Sequence, residues 1–386
     1  MPFSFEFATA TRIIFGRGRV SDVETLTRGF GDRVLFVTGS TPARAATAAA
    51  SLQAAGIDLV PFLVTAEPDL ELVLKGVECA RDAGCQWVLS CGGGSVIDAG
   101  KAIAALVTNR RDILDYLEIV GHGMPLTERP LPFVALPTTA GTGAEVTRNA
   151  VLSVPEHRVK VSLRSPLMLP SLAIVDSDLT LGLPRNLTAT TGLDALTQLI
   201  EPFVSIKANP ITDALCREGI QRFGRSFPKV LNDGNDAGAR EDIALASLFG
   251  GLALANAGLG AVHGFAGPIG GMFPAPHGAI CAVLLAPVCA ANRQRLRQQS
   301  PQSMVPDRFT EAARLLLGSE TATADEGIEW IRDCVTAAEI PGLGQWGITE
   351  NDFEAIAAKA AVAGSMKGNP VVFAPDELVN LLRGAL

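Results

Sequence analysis

Residues 87–104 read WVLSCGGGSVIDAGKAIA, and this stretch decides the fold. An apolar run stops at three glycines and then resumes with helical spacing, which predicts a strand, a tight turn and a helix. Ser95 and Asp98 have the spacing of a capping box, which predicts that the helix begins there. Because glycines lack Cβ atoms and the positive end of the helix dipole lies beyond them, Gly93 and Gly94 are expected to face a phosphate. An ordinary βα turn without a ligand is the alternative.

Strands and helices alternate through the first half of the chain. The predicted elements are one or two opening strands over 2–16, strands at 34–38, 59–64, 132–137 and 172–176, and helices at 43–55 and 71–83. This alternation predicts a parallel sheet covered on both faces, with ligands at the carboxyl ends of the strands. Gly39, the glycine turn and residues 138–143 all fall at such ends, which favours the phosphate hypothesis.

The second half of the chain has a different pattern. After Pro184 the sequence is dominated by alanine- and leucine-rich segments with helical spacing, at 189–204, 211–223, 240–257 and 308–317. A chain of 386 residues also exceeds the size at which one hydrophobic core usually stops growing. We therefore expect an α/β domain with a parallel sheet over residues 1–182 and an all-α domain over residues 183–386.

Composition narrows the class of protein. A net charge of −8 with interspersed acidic and basic residues argues against a nucleic-acid partner. Seven cysteines lie in apolar surroundings without a CxxC pair, which predicts buried thiols in a reducing compartment. No signal peptide is apparent, and the longest apolar run, residues 279–291, is too short to cross a bilayer. We expect a cytoplasmic protein with no membrane partner.

Four side chains in the helical half have the chemistry of a metal site. Asp194 and Gln198 lie four residues apart on a predicted helix, so both project from one face. His263 and His277 lie in glycine-rich contexts, and imidazoles with a carboxylate suit iron or zinc. The alternative is that Asp194 and Gln198 are ordinary polar helix residues and that each histidine is a satisfied buried group.

A second polar loop follows the predicted strand at 132–137. Residues 137–147 read PTTAGTGAEVT, and such a loop can bind phosphate and ribose through hydroxyls and backbone amides. Alone it is equally compatible with a polar turn. Lys160 offers a cation to a ribose or phosphate, although an exposed strand lysine is the simpler interpretation.

In this order and together, the motifs resemble the iron-containing (group III) alcohol dehydrogenase family, which is related to maleylacetate reductases, glycerol dehydrogenases and dehydroquinate synthases. The resemblance covers nearly the whole chain. The motifs that carry it are Gly92-Gly93-Gly94-Ser95-x-x-Asp98-x-x-Lys101, the loop at 137–147, Gly192-Leu193-Asp194-Ala195, His263-Gly264 and Pro276-His277-Gly278.

The resemblance implies a dehydroquinate synthase-like architecture, in which a cleft holds a nicotinamide beside a metal, and a homo-oligomer such as a dimer. The metal ligands it implies are Asp194, Gln198, His263 and His277. The NAD or NADP contacts it implies are Gly94, Ser95, Asp98, Thr138, Thr139, Thr142 and Lys160. We add Gly93, which lies in the glycine turn, and Gly39, which follows a predicted strand.

Three positions depart from the family pattern. Gln198 stands where the family usually has a second ligand histidine, and a neutral amide oxygen is a weaker donor, so Fe²⁺, Zn²⁺ or no metal is possible. Gly267 stands where a proton-relay histidine is usual, so the proton leaves through water, a cofactor ribose hydroxyl or another side chain. Gly39 replaces the aspartate of NAD-preferring members. With Ser40, Thr41 and Arg44 nearby, this change opens the site to NADP.

We hypothesise an NAD(P)-dependent oxidoreductase that interconverts a small alcohol and its aldehyde or ketone by metal-assisted hydride transfer, with Asp194, His263 and His277 at the reacting centre. One alternative is a maleylacetate-reductase-like oxo-acid reductase with little metal dependence. Another is a catalytically degenerate member that only binds nucleotide. A lyase of the dehydroquinate synthase type is disfavoured because few basic residues surround the His263 motif.

Overall fold

The computed structural model describes residues 4–299 and 305–386, with side chains from residue 307 onward in the second segment. These residues form two compact units. One unit comprises residues 9–139 and 143–181, and it contains every strand in the described part of the chain. The other comprises residues 4–8, 140–142 and 182–386 and is helical.

The first unit is built on a six-stranded parallel sheet. The strands of the unit are β1 (Ile13–Phe15), β2 (Arg33–Thr38), β3 (Asp58–Leu63), β4 (Trp87–Gly92), β5 (Phe133–Pro137), β6 (Asn149–Val154), β7 (Val159–Arg164) and β8 (Leu172–Val175). The sheet has the order β1-β8-β5-β4-β2-β3, and all of its pairings are parallel, which confirms the predicted parallel sheet. Strands β6 and β7 form a separate antiparallel hairpin that the sequence analysis missed.

Helices cover both faces of this sheet. The helices of the unit are α1 (Val23–Leu26), α2 (Ala46–Ala54), α3 (Leu70–Asp82), α4 (Gly94–Thr108) and α5 (Ile113–Tyr116). One hydrophobic cluster joins α3, α4 and the hairpin to one face, and a second joins α1 and α2 to the other. Every residue of β4 and β5 is buried, as expected for central strands of a parallel sheet covered on two sides.

Helix α4 packs unusually close to β4. A Cβ added to Gly100 would collide with Oγ of Ser90 and lie 2.9 Å from the Phe133 ring. Oγ of Ser90 donates a hydrogen bond of 3.0 Å to the Val96 carbonyl on the same helix. The absence of a side chain at Gly100 therefore allows the helix to lie directly on the strand that precedes it.

The second unit contains nine helices among its described residues. They are α6 (Arg185–Val204), α7 (Pro210–Asn232), α8 (Ala237–Ala257), α9 (Ala261–Met272), α10 (His277–Gln299), α11 (Val305–Leu317), α12 (Ala324–Ala337), α13 (Phe353–Val362) and α14 (Pro375–Arg383). Helix α6 is the central one, because every residue from Gly192 to Val204 is buried. No single described helix is long and apolar enough to cross a membrane. The pair α8 and α9, bent by 97°, meets that test only in length and composition.

Candidate functional site

The glycine turn joins β4 to α4 as predicted, but the predicted capping box is wrong. The helix begins at Gly94, its N-cap is Gly93, and no side chain caps it. Asp98 instead reaches the hairpin, where its Oδ2 accepts a hydrogen bond of 3.0 Å from the Val151 backbone N–H. Because the N-cap is a glycine, no side chain covers the backbone N–H groups at the start of α4. Backbone N–H groups at such a helix N-terminus attract anions.

The polar loop after β5 lies beside this turn. The Thr138 N–H donates a hydrogen bond of 3.0 Å to the Gly92 carbonyl, and a Cβ added to Gly93 would lie 3.4 Å from the Thr139 side chain. Gly39 directly follows β2, the other neighbour of β4, and a Cβ there would lie 3.3 Å from a Val96 methyl. The structure thus brings Gly39, Gly93, Gly94, Ser95, Thr138 and Thr139 to one edge of the sheet.

The remaining predicted cofactor residues have other surroundings. The Lys160 ammonium, on β7, lies 2.6 Å from Oε2 of Glu67, so a carboxylate of the same unit already neutralises it. Thr142 belongs to the short segment 140–142, which groups with the helical unit. Arg44, a candidate for holding an NADP phosphate, donates from Nη1 to the carbonyls of Leu179 and Leu181, each at 2.8 Å.

A buried ammonium links helix α4 to the residues at and just beyond the end of the polar loop. Nζ of Lys101 donates hydrogen bonds to the Thr147 hydroxyl at 2.9 Å and to the Asn149 carbonyl at 2.5 Å, and it lies 3.4 Å from Oδ1 of Asp98. Burial lowers the pKa of Lys101, although the nearby carboxylates oppose that shift. Burial also raises the pKa of Glu145 to about 7. These groups lie inside the unit and tie α4 to the chain that follows the polar loop.

Three of the four predicted metal-site residues converge in the helical unit. Oδ1 of Asp194, on α6, lies 3.4 Å from Nε2 of His263, on α9, and 3.7 Å from Nε2 of His277, at the start of α10. Cys281 joins them, and the four ligand atoms all lie within 4.8 Å of one another. A carboxylate, two imidazoles and a thiol at this spacing form a set of donors suited to a divalent transition metal.

Glu201 fixes the orientation of His263. Its Oε2 accepts a hydrogen bond of 2.7 Å from Nδ1 of His263, and its Oε1 accepts one of 2.7 Å from the Val262 backbone N–H. The Glu201 side chain is 5% exposed, so little water competes for these bonds. Because Nδ1 donates to a carboxylate, Nε2 is the nitrogen presented to the cluster, an arrangement common behind metal-bound histidines.

Two buried oxygens of the site lack well-aligned hydrogen-bond partners among the described residues. They are Oδ1 of Asp194 and Oε1 of Gln198. Buried acceptors without partners are uncommon in folded proteins, and a bound cation would satisfy the carboxylate oxygen.

Burial and neighbouring charges shift the pKa values of Asp194, His263 and Cys281. Burial opposes ionisation of Asp194, but the neighbouring His277 and His263 outweigh it, so the pKa of Asp194 is lowered. Burial likewise opposes protonation of His263, but Cys281, Glu201 and Asp194 outweigh it and raise the pKa of His263 well above its ordinary value of 6.5. Burial raises the pKa of the Cys281 thiol to about 12. A cation would have to displace protons from this cluster.

Sequence reasoning missed Cys281 and Glu201. The signals for them were present, since Cys281 is four residues beyond His277 and Glu201 is three residues beyond Gln198, which are spacings that share a helix face. His122 and His157, to which the sequence analysis assigned no role, do not belong to the described cluster.

Comparison with known proteins covers both halves of the chain. Residues 10–177 match the family model "Iron-containing alcohol dehydrogenase", and residues 188–386 match "Fe-containing alcohol dehydrogenase family, C-terminal". The chain is 35% identical over 325 residues to alcohol dehydrogenase 4 of Schizosaccharomyces pombe, covering 84% of this chain and 74% of the yeast protein. It is 33% identical over 386 residues to the NAD-dependent methanol dehydrogenase of Bacillus methanolicus, covering 97% of each.

A solved structure agrees with these relatives. The crystal structure of a 1,3-propanediol oxidoreductase superposes with a TM-score of 0.92 at 33% identity, covering all of both chains. The predicted activity, NAD(P)-dependent interconversion of an alcohol and its carbonyl compound, is confirmed and is favoured over the oxo-acid and non-catalytic alternatives. The chain belongs to the iron-containing alcohol dehydrogenase family.

Proposed function

We propose that residues 183–386 hold a divalent metal and a small alcohol substrate, while residues 1–182 bind NAD or NADP. The observation that carries this proposal is the convergence of Asp194, His263 and His277, whose ligand atoms lie 3.4–3.7 Å apart around the carboxylate. The unpartnered Oδ1 of Asp194 is the independent sign that the cluster fits a cation.

Asp194, His263 and His277 would hold the metal, and two side chains compete for the fourth position. One is Gln198, whose Oε1 is buried without a partner, and the other is Cys281, whose Sγ lies among the ligand atoms. When bound, the metal supplies Lewis-acid polarisation of the substrate oxygen, and the nicotinamide exchanges the hydride.

The residues of this chain perform the positioning. Glu201 keeps Nε2 of His263 directed at the cluster, and the buried carboxylate of Asp194 places a negative charge there. At the sheet edge, the backbone at Gly93 and Gly94 and the hydroxyls of Thr138 and Thr139 would receive the cofactor phosphates. For Ser95, Asp98, Thr142 and Lys160, contact with the cofactor stays a prediction.

Proton transfer cannot use the position of the usual relay histidine. A Cβ added to Gly267 would meet nothing within 4 Å, so this side of α9 is open. The His277 side chain is 36% exposed, so solvent reaches the cluster from that side. We propose that water admitted beside Gly267 and His277 carries the alcohol proton away.

The substrate class follows from the relatives. Two of the named relatives carry the names of their substrates, methanol and 1,3-propanediol, and this chain is proposed to act on small primary alcohols and their aldehydes. All seven cysteines are free and six are buried, which supports a reducing, cytoplasmic location. A dimeric assembly stays a prediction.

Metal depletion tests the proposal. Protein stripped with a chelator should lose alcohol-dependent reduction of NAD(P), and Fe²⁺ or Zn²⁺ should restore it, as followed by nicotinamide absorbance. His277→Ala should abolish this recovery, while the matched control His157→Ala, at an exposed histidine in a loop of the other unit, should behave as wild type. Equal turnover by stripped and loaded wild-type protein would refute a role for the metal.

A further inference from the structure

We propose that the thiolate of Cys281 is a metal ligand that replaces the missing histidine at position 198, giving an Asp-His-His-Cys centre that prefers Zn²⁺ to Fe²⁺. The inference deepens the proposed function and rests on it. It concerns which side chain completes the site, and therefore which metal the site selects.

The helix positions Cys281 for this role. His277 and Cys281 are four residues apart on α10, so both project from one face of the helix, one turn apart. Sγ of Cys281 lies 3.7 Å from Nε2 of His277 and 3.9 Å from Nε2 of His263.

Four of the six separations among these atoms are close to those of tetrahedral coordination. With metal–nitrogen bonds of about 2.0–2.1 Å and a metal–sulfur bond of about 2.3 Å, a tetrahedral site separates sulfur from each nitrogen by about 3.6 Å. The observed separations are 3.7 and 3.9 Å. The same reasoning separates a carboxylate oxygen from each nitrogen by about 3.3 Å. The observed values are 3.4 and 3.7 Å.

Gln198 is the weaker candidate for the same position. Its Oε1 has no hydrogen-bond partner among the described residues, so no hydrogen bond orients that oxygen toward a metal. A neutral amide oxygen also carries no charge to offset the divalent cation, whereas a thiolate does. The charged donor is therefore assigned to the fourth position, and Cys281 supplies it.

Sulfur changes the metal that the site prefers. A soft thiolate favours zinc over harder oxygen-preferring ions, and a four-donor set of two nitrogens, one oxygen and one sulfur suits tetrahedral Zn²⁺. Binding releases the thiol proton to solvent as the metal–sulfur bond forms, so charge and atoms balance without any oxidant or reductant.

Cobalt is the probe, because thiolate coordination gives Co²⁺ a strong near-ultraviolet charge-transfer band that oxygen and nitrogen ligands do not. Metal-free wild type, Cys281→Ser and the control Cys216→Ser are titrated with Co²⁺, and their Zn²⁺ affinities are measured by competition with a chelator. Cys216 is a suitable control because it is also fully buried in a helix of the same unit but lies outside the cluster.

We expect the band in wild type and Cys216→Ser and its loss in Cys281→Ser. Zn²⁺ affinity should fall by at least about 100-fold, because losing even an outer-shell partner costs up to that much. X-ray absorption of the zinc-loaded wild type, which depends on no variant, should show one sulfur at about 2.3 Å.

Wild type that binds one Co²⁺ per chain without the band, or a band that survives in Cys281→Ser, would overturn the assignment of Cys281. In that case metal-dependent turnover lost in His277→Ala would still support the proposed function. Wild type that binds no Co²⁺ at all would refute both.

Discussion

Glu201→Gln tests whether an outer carboxylate sets the metal affinity. In the native protein both oxygens of Glu201 accept, one from Nδ1 of His263 and one from the Val262 N–H, each at 2.7 Å. A glutamine keeps the shape but has only one acceptor oxygen. If that oxygen keeps the Val262 N–H, the amide N–H₂ faces Nδ1, and His263 must then carry its proton on Nε2, the atom directed at the cluster.

The expected loss of metal affinity is about 10- to 100-fold, the usual cost of removing such a partner, or about 1.4–2.7 kcal/mol. Metal-free stability should also fall by about 1.5–3 kcal/mol, since a buried hydrogen bond to a charged group is lost. Because its pKa is raised in the folded state, protonated His263 stabilises the fold. This contribution is complete at pH values below 6.5, the ordinary pKa of histidine, and it disappears as the pH rises through the higher pKa of the folded state. The destabilisation should therefore be largest at acidic pH.

Chelator competition for Zn²⁺ and urea unfolding of the metal-free protein measure the two effects separately. Glu311→Gln is the control, because it removes a half-exposed ion pair with Arg217 in the same unit, away from the cluster. It should change stability slightly and leave metal affinity unchanged. Glu201→Gln protein that binds Zn²⁺ as tightly as wild type would show that Glu201 does not orient His263 for a metal.

Three other substitutions test separate parts of the protein. Wild type should lose about 3 kcal/mol of stability as the pH rises from 4.5 to about 7, because over this range the folded state holds a proton on Glu145 that the unfolded state has released. Glu145→Gln should not show this loss. If urea unfolding gives the two proteins parallel plots of stability against pH, this prediction is wrong. Gly267→His places an acid–base group in open space and should raise kcat by up to about 100-fold, whereas an unchanged kcat at every pH would mean that water already suffices. Gly39→Asp, with its Cβ 3.3 Å from a Val96 methyl, should fold and raise KM for NADP but not for NAD; an equal rise for both cofactors would point to steric damage.

Local patterns predicted the parts of the fold that are locally determined. Strand β4 and the glycine turn follow from an apolar run that stops at glycines, and both are where the sequence places them. The β6–β7 hairpin was missed although β7 reads VKVSLR, in which apolar and polar residues alternate. In β6 the alternation is broken only at Val151, which is apolar but 38% exposed.

The missed site residues depended on contacts between distant segments. Asp98 looked like a helix cap, yet its partner is the Val151 N–H, 53 residues away. Cys281 lies one helical turn beyond His277, but this spacing alone does not distinguish it from other buried residues. The meeting of α6, α9 and α10 places its sulfur beside two imidazoles. Asp194, His263 and His277 were identified because carboxylates and imidazoles stand out chemically without any tertiary information.

The buried Lys101 has a consequence for how this unit tolerates change. One ammonium group joins the helix after the glycine turn to Thr147 and Asn149, beyond the polar loop. Replacing Lys101 with methionine would keep the volume but remove the donor to the Thr147 hydroxyl, the Asn149 carbonyl and the Thr147 carbonyl, which lies 3.3 Å from Nζ. The bulkier guanidinium of arginine would not fit the space that the lysine occupies, where the side chain is only 1% exposed. Insertions or deletions in the glycine turn or the polar loop should therefore be tolerated only when Lys101 can still reach Thr147 and Asn149. The two segments are expected to change together in evolution.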